Sequence, residues 1–402
     1  MLLYNCGVKL EFKYIYYISI SIMEYIIYII ACLSIAYCQK IIKTQYLSSF
    51  TKFTLPITFK DYEMMTYYKA INLEYDYTLL YNTPIRPEKI RENISFHINN
   101  EDIPVQVVQT EIMIPNHNIT YMFYNVEKMN YYTYANEGIS FAYKYSNDNW
   151  KNNFSFVYQL IKNGLIDKPI FALEPLNRTV GNLYLGGVPQ DVIKEKNMAK
   201  CPIVKYNSYW SCYIDKVIFN YEGKENEFIM ENIVAQFQPG QVPIKVHTAL
   251  FEYLYNNLFS YYIFKRVCRL SEYERQRAFD CDIEAMEEFP ELKFVINGYI
   301  FQLAIKDLYE ISHRSVVTSS RDMILLVEDK YNDKVTLGAL FMREYISVFD
   351  YEDEYINFYS EKKFERHVNQ TEKIVLVIYK ITIILLLLNI IYLLIIYKRY
   401  ES

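Results

Sequence analysis

The side chains of this 402-residue chain with chemistry to offer are its cysteines, its histidines and its Asn-x-Ser/Thr triplets. Of seven cysteines, Cys6, Cys32 and Cys38 crowd the N-terminus, while Cys201, Cys212, Cys268 and Cys281 form an even set in the interior. An even interior set suits disulfide pairing in an oxidising compartment. Asn93, Asn118, Asn153, Asn177 and Asn369 head glycosylation triplets, which belong to the same compartment, although an Asn-rich chain makes some by chance. Five histidines, without Cys-x-x-Cys or His-Glu-x-x-His, give no metal signal. No Gly-rich phosphate loop and no Gly-x-Ser-x-Gly turn are present, so neither a cofactor nor a serine nucleophile is expected. A formal charge of -5 points to no nucleic-acid partner.

The elements that must carry these groups lie between two apolar ends. Residues 374–397, "IVLVIYKITIILLLLNIIYLLIIY", would make a helix about 36 Å long, enough to cross a hydrocarbon core of about 30 Å. Lys380 can snorkel to the near surface, and Lys398 and Arg399 favour a cytoplasmic C-terminus. Residues 23–38, "MEYIIYIIACLSIAYC", have the short apolar core and small terminal residues of a signal peptide, with Met23 a better start than Met1. An uncleaved anchor over residues 14–36 is the alternative. The expected protein is a single-pass membrane protein of the secretory pathway or cell surface, with its ectodomain lumenal or extracellular.

The ectodomain reads as mainly β. Short runs rich in Val, Ile, Tyr and Thr, such as "FTLPITF", "NISFHI" and "IPVQVVQTEIMI", alternate with polar turns. An amphipathic helix is predicted over 154–164, with Gly164 ending it, and a second over 248–262. Pattern alone does not separate a sandwich, a barrel and a two-lobed enzyme.

Five collinear strings narrow the choice: "SFVYQLIKNGLIDKPIFAL" (155–173), "GNLYLGGVPQDVI" (181–193), "CPIVKYNSYWSCYIDKVIFN" (201–220), "FPELKFVINGYIFQLAIKDLY" (289–309) and "VTLGALFMREYISVFDYEDEYINFY" (335–359). In order and content they resemble the pepsin-like aspartic proteases over roughly residues 55–360, strongly in the second half and faintly in the first 100 residues. Trp210 stands at the family's usual Tyr-Trp. The resemblance implies a bilobal, pepsin-like β fold with few short helices: an N-terminal lobe at 39–175, a C-terminal lobe at 176–360 and a stem at 361–373, after a leader at 1–38 and before the 374–397 span and a tail at 398–402. It also implies a Cys268–Cys281 bridge in a second-lobe loop. Cys201 and Cys212 would sit on facing strands of a hairpin as a second bridge.

Such proteases cleave with two carboxylates that share a proton around a water, each in an Asp-Thr/Ser-Gly turn. The chain contains neither Asp-Thr-Gly nor Asp-Ser-Gly. Aligned on the family, Asp76 in "NLEYDYTLLYNTP" is the remnant of the first-lobe acid, with Tyr77 and Thr78 following. In the second lobe "FQPG" puts Gln238 in place of the acid, Pro239 in place of Thr, and keeps Gly240. His97 falls in place of the flap tyrosine, and Ala339 replaces the residue after Leu-Gly. The short stretch before the first strand has no room for a basic propeptide. An amide cannot accept the proton, so the expectation is an inactive, membrane-anchored pseudoprotease binding a peptide or protein partner. A divergent protease using Asp76, and a surface glycoprotein using the fold as scaffold, are the alternatives.

Overall fold

A computed structural model of the chain describes residues 40–48, 53–59, 66–72, 78–81, 87–98, 101–114, 117–126, 138–142, 155–204, 209–221, 223–241, 243–273, 275–282, 291–304, 308–310, 321–324, 326–367 and 378–391. β-Branched and aromatic runs form strands, as their composition demands, and the helices are short. Strand Phe53–Phe59 buries side chains on both faces, which its nearly unbroken apolar sequence requires.

The strands form sheets of 13, eight and four. The centre of the largest is built from both halves of the chain. Hairpin Ile170–Pro175/Val180–Leu185 of the first half lies beside hairpin Ile346–Asp350/Tyr355–Ser360 of the second. Ile42–Ser48 extends one side and Asn197–Pro202 the other, so three strands from each half flank one antiparallel seam. The boundary expected at 175/176 falls in the turn of the first of these hairpins. Beyond Ile42–Ser48 the same sheet runs into the first lobe through Phe53–Phe59, Glu101–Ile114 and His117–Val126. The eight-stranded sheet, around Ser211–Tyr221 and Val234–Gln238, forms the second lobe.

The predicted helix near 154–164 spans Phe156–Lys162 and buries Phe156, Val157 and Leu160. Gly164 ends it at φ +67°, a left-handed conformation that glycine adopts without steric cost. The second predicted helix runs as Thr248–Leu254, a π turn at Tyr255–Phe259 and Ser260–Phe264. His247 caps it: its Nδ1 accepts from the Leu250 N–H at 3.4 Å.

Cys268 and Cys281 are cross-strand partners and are bridged. Cys201 and Cys212, expected as a second bridge, are free thiols. The reason is topological. Strand Asn197–Pro202 does not fold back on Ser211–Tyr221 as a hairpin but joins the central sheet, where Cys201 pairs with Ile356. Cys212 pairs instead with Ala235. The two thiols meet only through their side chains; burial first, then the hydrogen bond with Cys201, pushes the Cys212 thiol up. Asn93, Asn118 and Asn177 are exposed, while Asn153 and Asn369 lie outside the described residues.

Residues 378–391 are helical with exposed apolar side chains. Among the described residues no helix is long and apolar enough to cross a membrane. The rest of the 374–397 stretch, and residues 1–39, lie outside them.

Aromatic packing joins the lobes at the seam. Phe171 stacks on Phe349 with ring centroids 4.5 Å apart, and Trp210 lies edge-on to Phe349 and Tyr351 at 5.0 and 4.8 Å. The Phe141 carbonyl accepts from both Trp210 Nε1 (2.7 Å) and the Tyr351 hydroxyl (2.8 Å), all of them buried. Tyr351→Phe leaves that carbonyl one donor and should cost about 1 kcal/mol of stability. Trp210→Ala opens a cavity and should cost about 3–5 kcal/mol. Urea unfolding of the two variants beside the parent measures both.

A second fastening joins the four-stranded sheet to the second-lobe sheet. Arg277 grips Glu328 through two bonds of 2.6 and 2.7 Å and also reaches Glu252 at 2.7 Å. Glu328 is fully buried, and the Arg277 hydrogen bonds hold its carboxyl below the usual carboxylate range. A depressed folded pKa contributes stability that is complete above the unfolded value of about 4.3 and vanishes as pH falls through the folded value. Glu328→Gln should cost about 3–5 kcal/mol at neutral pH and flatten the decline of stability below about pH 4. Denaturation midpoints across an acid series report this.

Candidate functional site

All four parallel strand pairs among the described residues fall into two matching sets. In the second lobe, Val234–Gln238 runs parallel to Val335–Gly338, and the following strand, Ile244–His247, runs parallel to Leu326–Asp329. In the first, Thr66–Asn72 runs parallel to Ile139–Ser140, and the following strand, Leu79–Tyr81, runs parallel to His117–Val126. The register equates single residues. Phe237 pairs with Leu337 and Gln238 with Gly338; Ile71 pairs with Ile139 and Asn72 with Ser140. Phe237, Leu337, Ile71 and Ile139 all enter the main core. Alternation along a strand sends the next residue to the other face, so Asn72 and Gln238 hold equivalent places at the ends of equivalent strands.

Gln238 then enters a tight turn in which Pro239 fixes φ, and the Gln241 N–H bonds back to the Gln238 carbonyl at 3.1 Å. Two further bonds hold the turn. The Phe53 N–H of the first lobe donates to the Pro239 carbonyl at 2.8 Å, and the Ala339 N–H donates to the Gln241 carbonyl at 2.6 Å. Ala339, buried, opens the short helix Ala339–Met342.

Around Gln238 the sheet presents a polar row. Cross-strand partners lie side by side on one face; Ser211 pairs with Gln236, Gln236 with Thr336, and Thr336 with Lys245. Ala235 and Phe237, on the opposite face, are core residues. Gln236, Gln238, Gln241, Lys245, Asp329 and Thr336 help to line a cavity of about 100 Å³. Gln236 is 1% and Gln238 2% exposed. Both polar atoms of the Gln236 amide, and Nε2 of Gln238, have no hydrogen-bond partner. Buried amides left this way are costly.

Trp210 connects the two amide positions. Its Nε1 holds the carbonyl of Phe141, the residue after Ser140, while its own carbonyl accepts from the Phe237 N–H at 3.0 Å, between Gln236 and Gln238. Opposite Asn72, the Ser140 N–H donates to Thr78 Oγ1 at 2.9 Å, and the Thr78 hydroxyl also bonds the Tyr121 hydroxyl.

The residues anticipated from sequence are only partly assembled here. Gln238 lies in the cavity wall. Asp76 lies outside the described residues, while the register pairs Asn72 with Ser140. His97 belongs to strand Ile90–Ile98 and pairs with Asp102 near the tip of a long hairpin; its side chain is also outside the described set. Asn72, Gln236, Thr336 and Lys245 were not anticipated. Two primary amides can donate and accept hydrogen bonds but cannot relay a proton. Among the described residues no cluster of His, Cys, Asp or Glu could hold a metal ion. Gln236→Leu removes two unpartnered buried atoms and should raise stability by about 1–2 kcal/mol, measurable as a shifted urea midpoint.

No curated protein sequence matches the chain. The structure is similar to the crystal structure of aspartic proteinase from Irpex lacteus, with a TM-score of 0.60 and 11% sequence identity over 80% of this chain and 97% of that one. At that identity the likeness speaks for the fold alone, the bilobal β architecture expected from the sequence. The family model described as "Eukaryotic aspartyl protease" matches residues 105–360, more than half of the chain. This chain therefore belongs to the eukaryotic aspartyl protease family.

Proposed function

We propose that the chain is a membrane-anchored, catalytically inert member of this family whose ectodomain binds a peptide or protein partner in extended form. The observation that carries the reading is the pair of amides, Asn72 and Gln238, at register-equivalent strand ends. The family's chemistry needs a carboxylate at each of two such places, one taking a proton from water while the other gives one to the leaving amine. Neither amide has a usable pKa. Binding needs no titratable group. The unpartnered Gln236 amide offers both an NH2 donor and a carbonyl acceptor, enough to pair with a peptide group, and main-chain pairing of this kind gives affinity to extended ligands. Anchoring rests on the apolar 374–397 stretch, and the lumenal or extracellular placement of the ectodomain on the leader-like 23–38 segment, the Cys268–Cys281 bridge and the exposed sequons at Asn93, Asn118 and Asn177.

The test incubates purified full-length protein in detergent with a denatured protein digest from about pH 3 to pH 7 and reads new termini by mass spectrometry. No specific cleavage should occur at any pH. Specific cleavage that disappears in Asp76→Asn would sink the proposal, because it would show an acid pair assembled from residues other than the two amides.

A further inference from the structure

The polar row beside Gln238 is more than a neutral replacement for a catalytic pair; it has a sign. Lys245 and Lys334 line the same cavity as the amides, with Asp329 the one carboxylate among its lining residues. Asp329 is already engaged by its own turn: one oxygen accepts from the Tyr331 N–H at 3.0 Å and the other from Asn332 Nδ2 at 2.8 Å. Lys334 extends over the ring of Tyr209, its Nζ 4.9 Å from the centroid. Lys245 is half-buried, lies next to Thr336 in the row, and among the described residues forms no ion pair. The cavity thus holds two buried amide N–H donors without partners, one amide acceptor without a partner, and an ammonium with no fixed counter-ion. A neutral peptide group would satisfy Gln236 alone. It would leave Gln238 Nε2 and Lys245 without an acceptor.

We infer that the row Gln236–Thr336–Lys245, with Gln238 beside it, forms a subsite for a carboxylate carried by the bound peptide. An extended segment would give its backbone N–H to Gln236 Oε1. The carboxylate would accept from Gln238 Nε2 and from the Lys245 ammonium, bonds that gain from being charge-assisted and away from bulk water. The small volume, about 100 Å³, suits a short acidic group. The same chemistry is offered by an Asp or Glu side chain and by a free C-terminal carboxylate. This inference rests on the proposed peptide-binding role and specifies what that role selects.

The test uses full-length protein in detergent and fluorescein-labelled decapeptides of common flanking sequence, read by anisotropy. Peptides carry a central Glu or a central Gln, each with an amidated or a free C-terminus. A carboxylate should tighten binding about tenfold over its uncharged counterpart. A gain from central Glu in the amidated pair assigns the group to a side chain, and a gain only from the free terminus assigns it to the chain end; both support the subsite. Lys245→Met should remove the preference and Lys245→Arg should retain it. Equal affinity for all four peptides, or a preference indifferent to Lys245→Met, would overturn the subsite while leaving peptide binding standing. Failure of every peptide to bind would instead overturn the peptide-binding role and the subsite with it.

Discussion

The carbonyl of Phe141 is the point on which the two lobes agree. It belongs to the first lobe, one residue from the Ser140–Asn72 pairing, yet both of its buried donors, Trp210 and Tyr351, come from the second. Trp210 in turn fixes the backbone of Phe237 through its own carbonyl. One side chain therefore sets the spacing between two strand ends on opposite sides of a pseudo-symmetric molecule. The stack of Phe171 on Phe349 at the seam gives this link its rigidity, since burial of aromatic area supplies energy while the hydrogen bonds supply direction.

The polar row shows the opposite priority. Strand Val234–Gln238 packs Ala235 and Phe237 into the core and spends its other face on Gln236 and Gln238, although leucine there would be more favourable for folding. A buried strand that retains unsatisfied groups gives up stability that an apolar face would have supplied. The turn after Gln238 is held by Phe53 of the other lobe, so its geometry is fixed from both halves of the chain.

Much of the fold could be read in advance. Period-two runs, the helix closing at Gly164 and the collinear strings from 155 to 359 all found their places, because each depends on local pattern and neighbour identity. The first-lobe site could not be fixed the same way. Asp76 lies outside the described residues, and Asn72 carries no motif that marks it in the sequence. Only the pairing of Asn72 with Ser140 draws notice to it, and that is a non-local fact. The expected Cys201–Cys212 bridge failed for a related reason: a hairpin was inferred from proximity in sequence, while strand Asn197–Pro202 pairs with residues more than 150 positions later. Lys245 was overlooked because a lysine in a Lys-rich chain carries no signal until Thr336 and Gln236 are seen beside it.

The position of strand Tyr355–Ser360 has a consequence for how the protein is made. It is the last strand of the globular part, yet it lies inside the central sheet between Asn197–Pro202 and Ile346–Asp350. During synthesis the N-terminal lobe can collapse early, but the seam stays open until nearly the whole globular part has emerged. Only 13 residues, 361–373, separate the end of this strand from the apolar 374–397 segment. Nascent chains must therefore be shielded along an exposed sheet edge until almost the moment of their release.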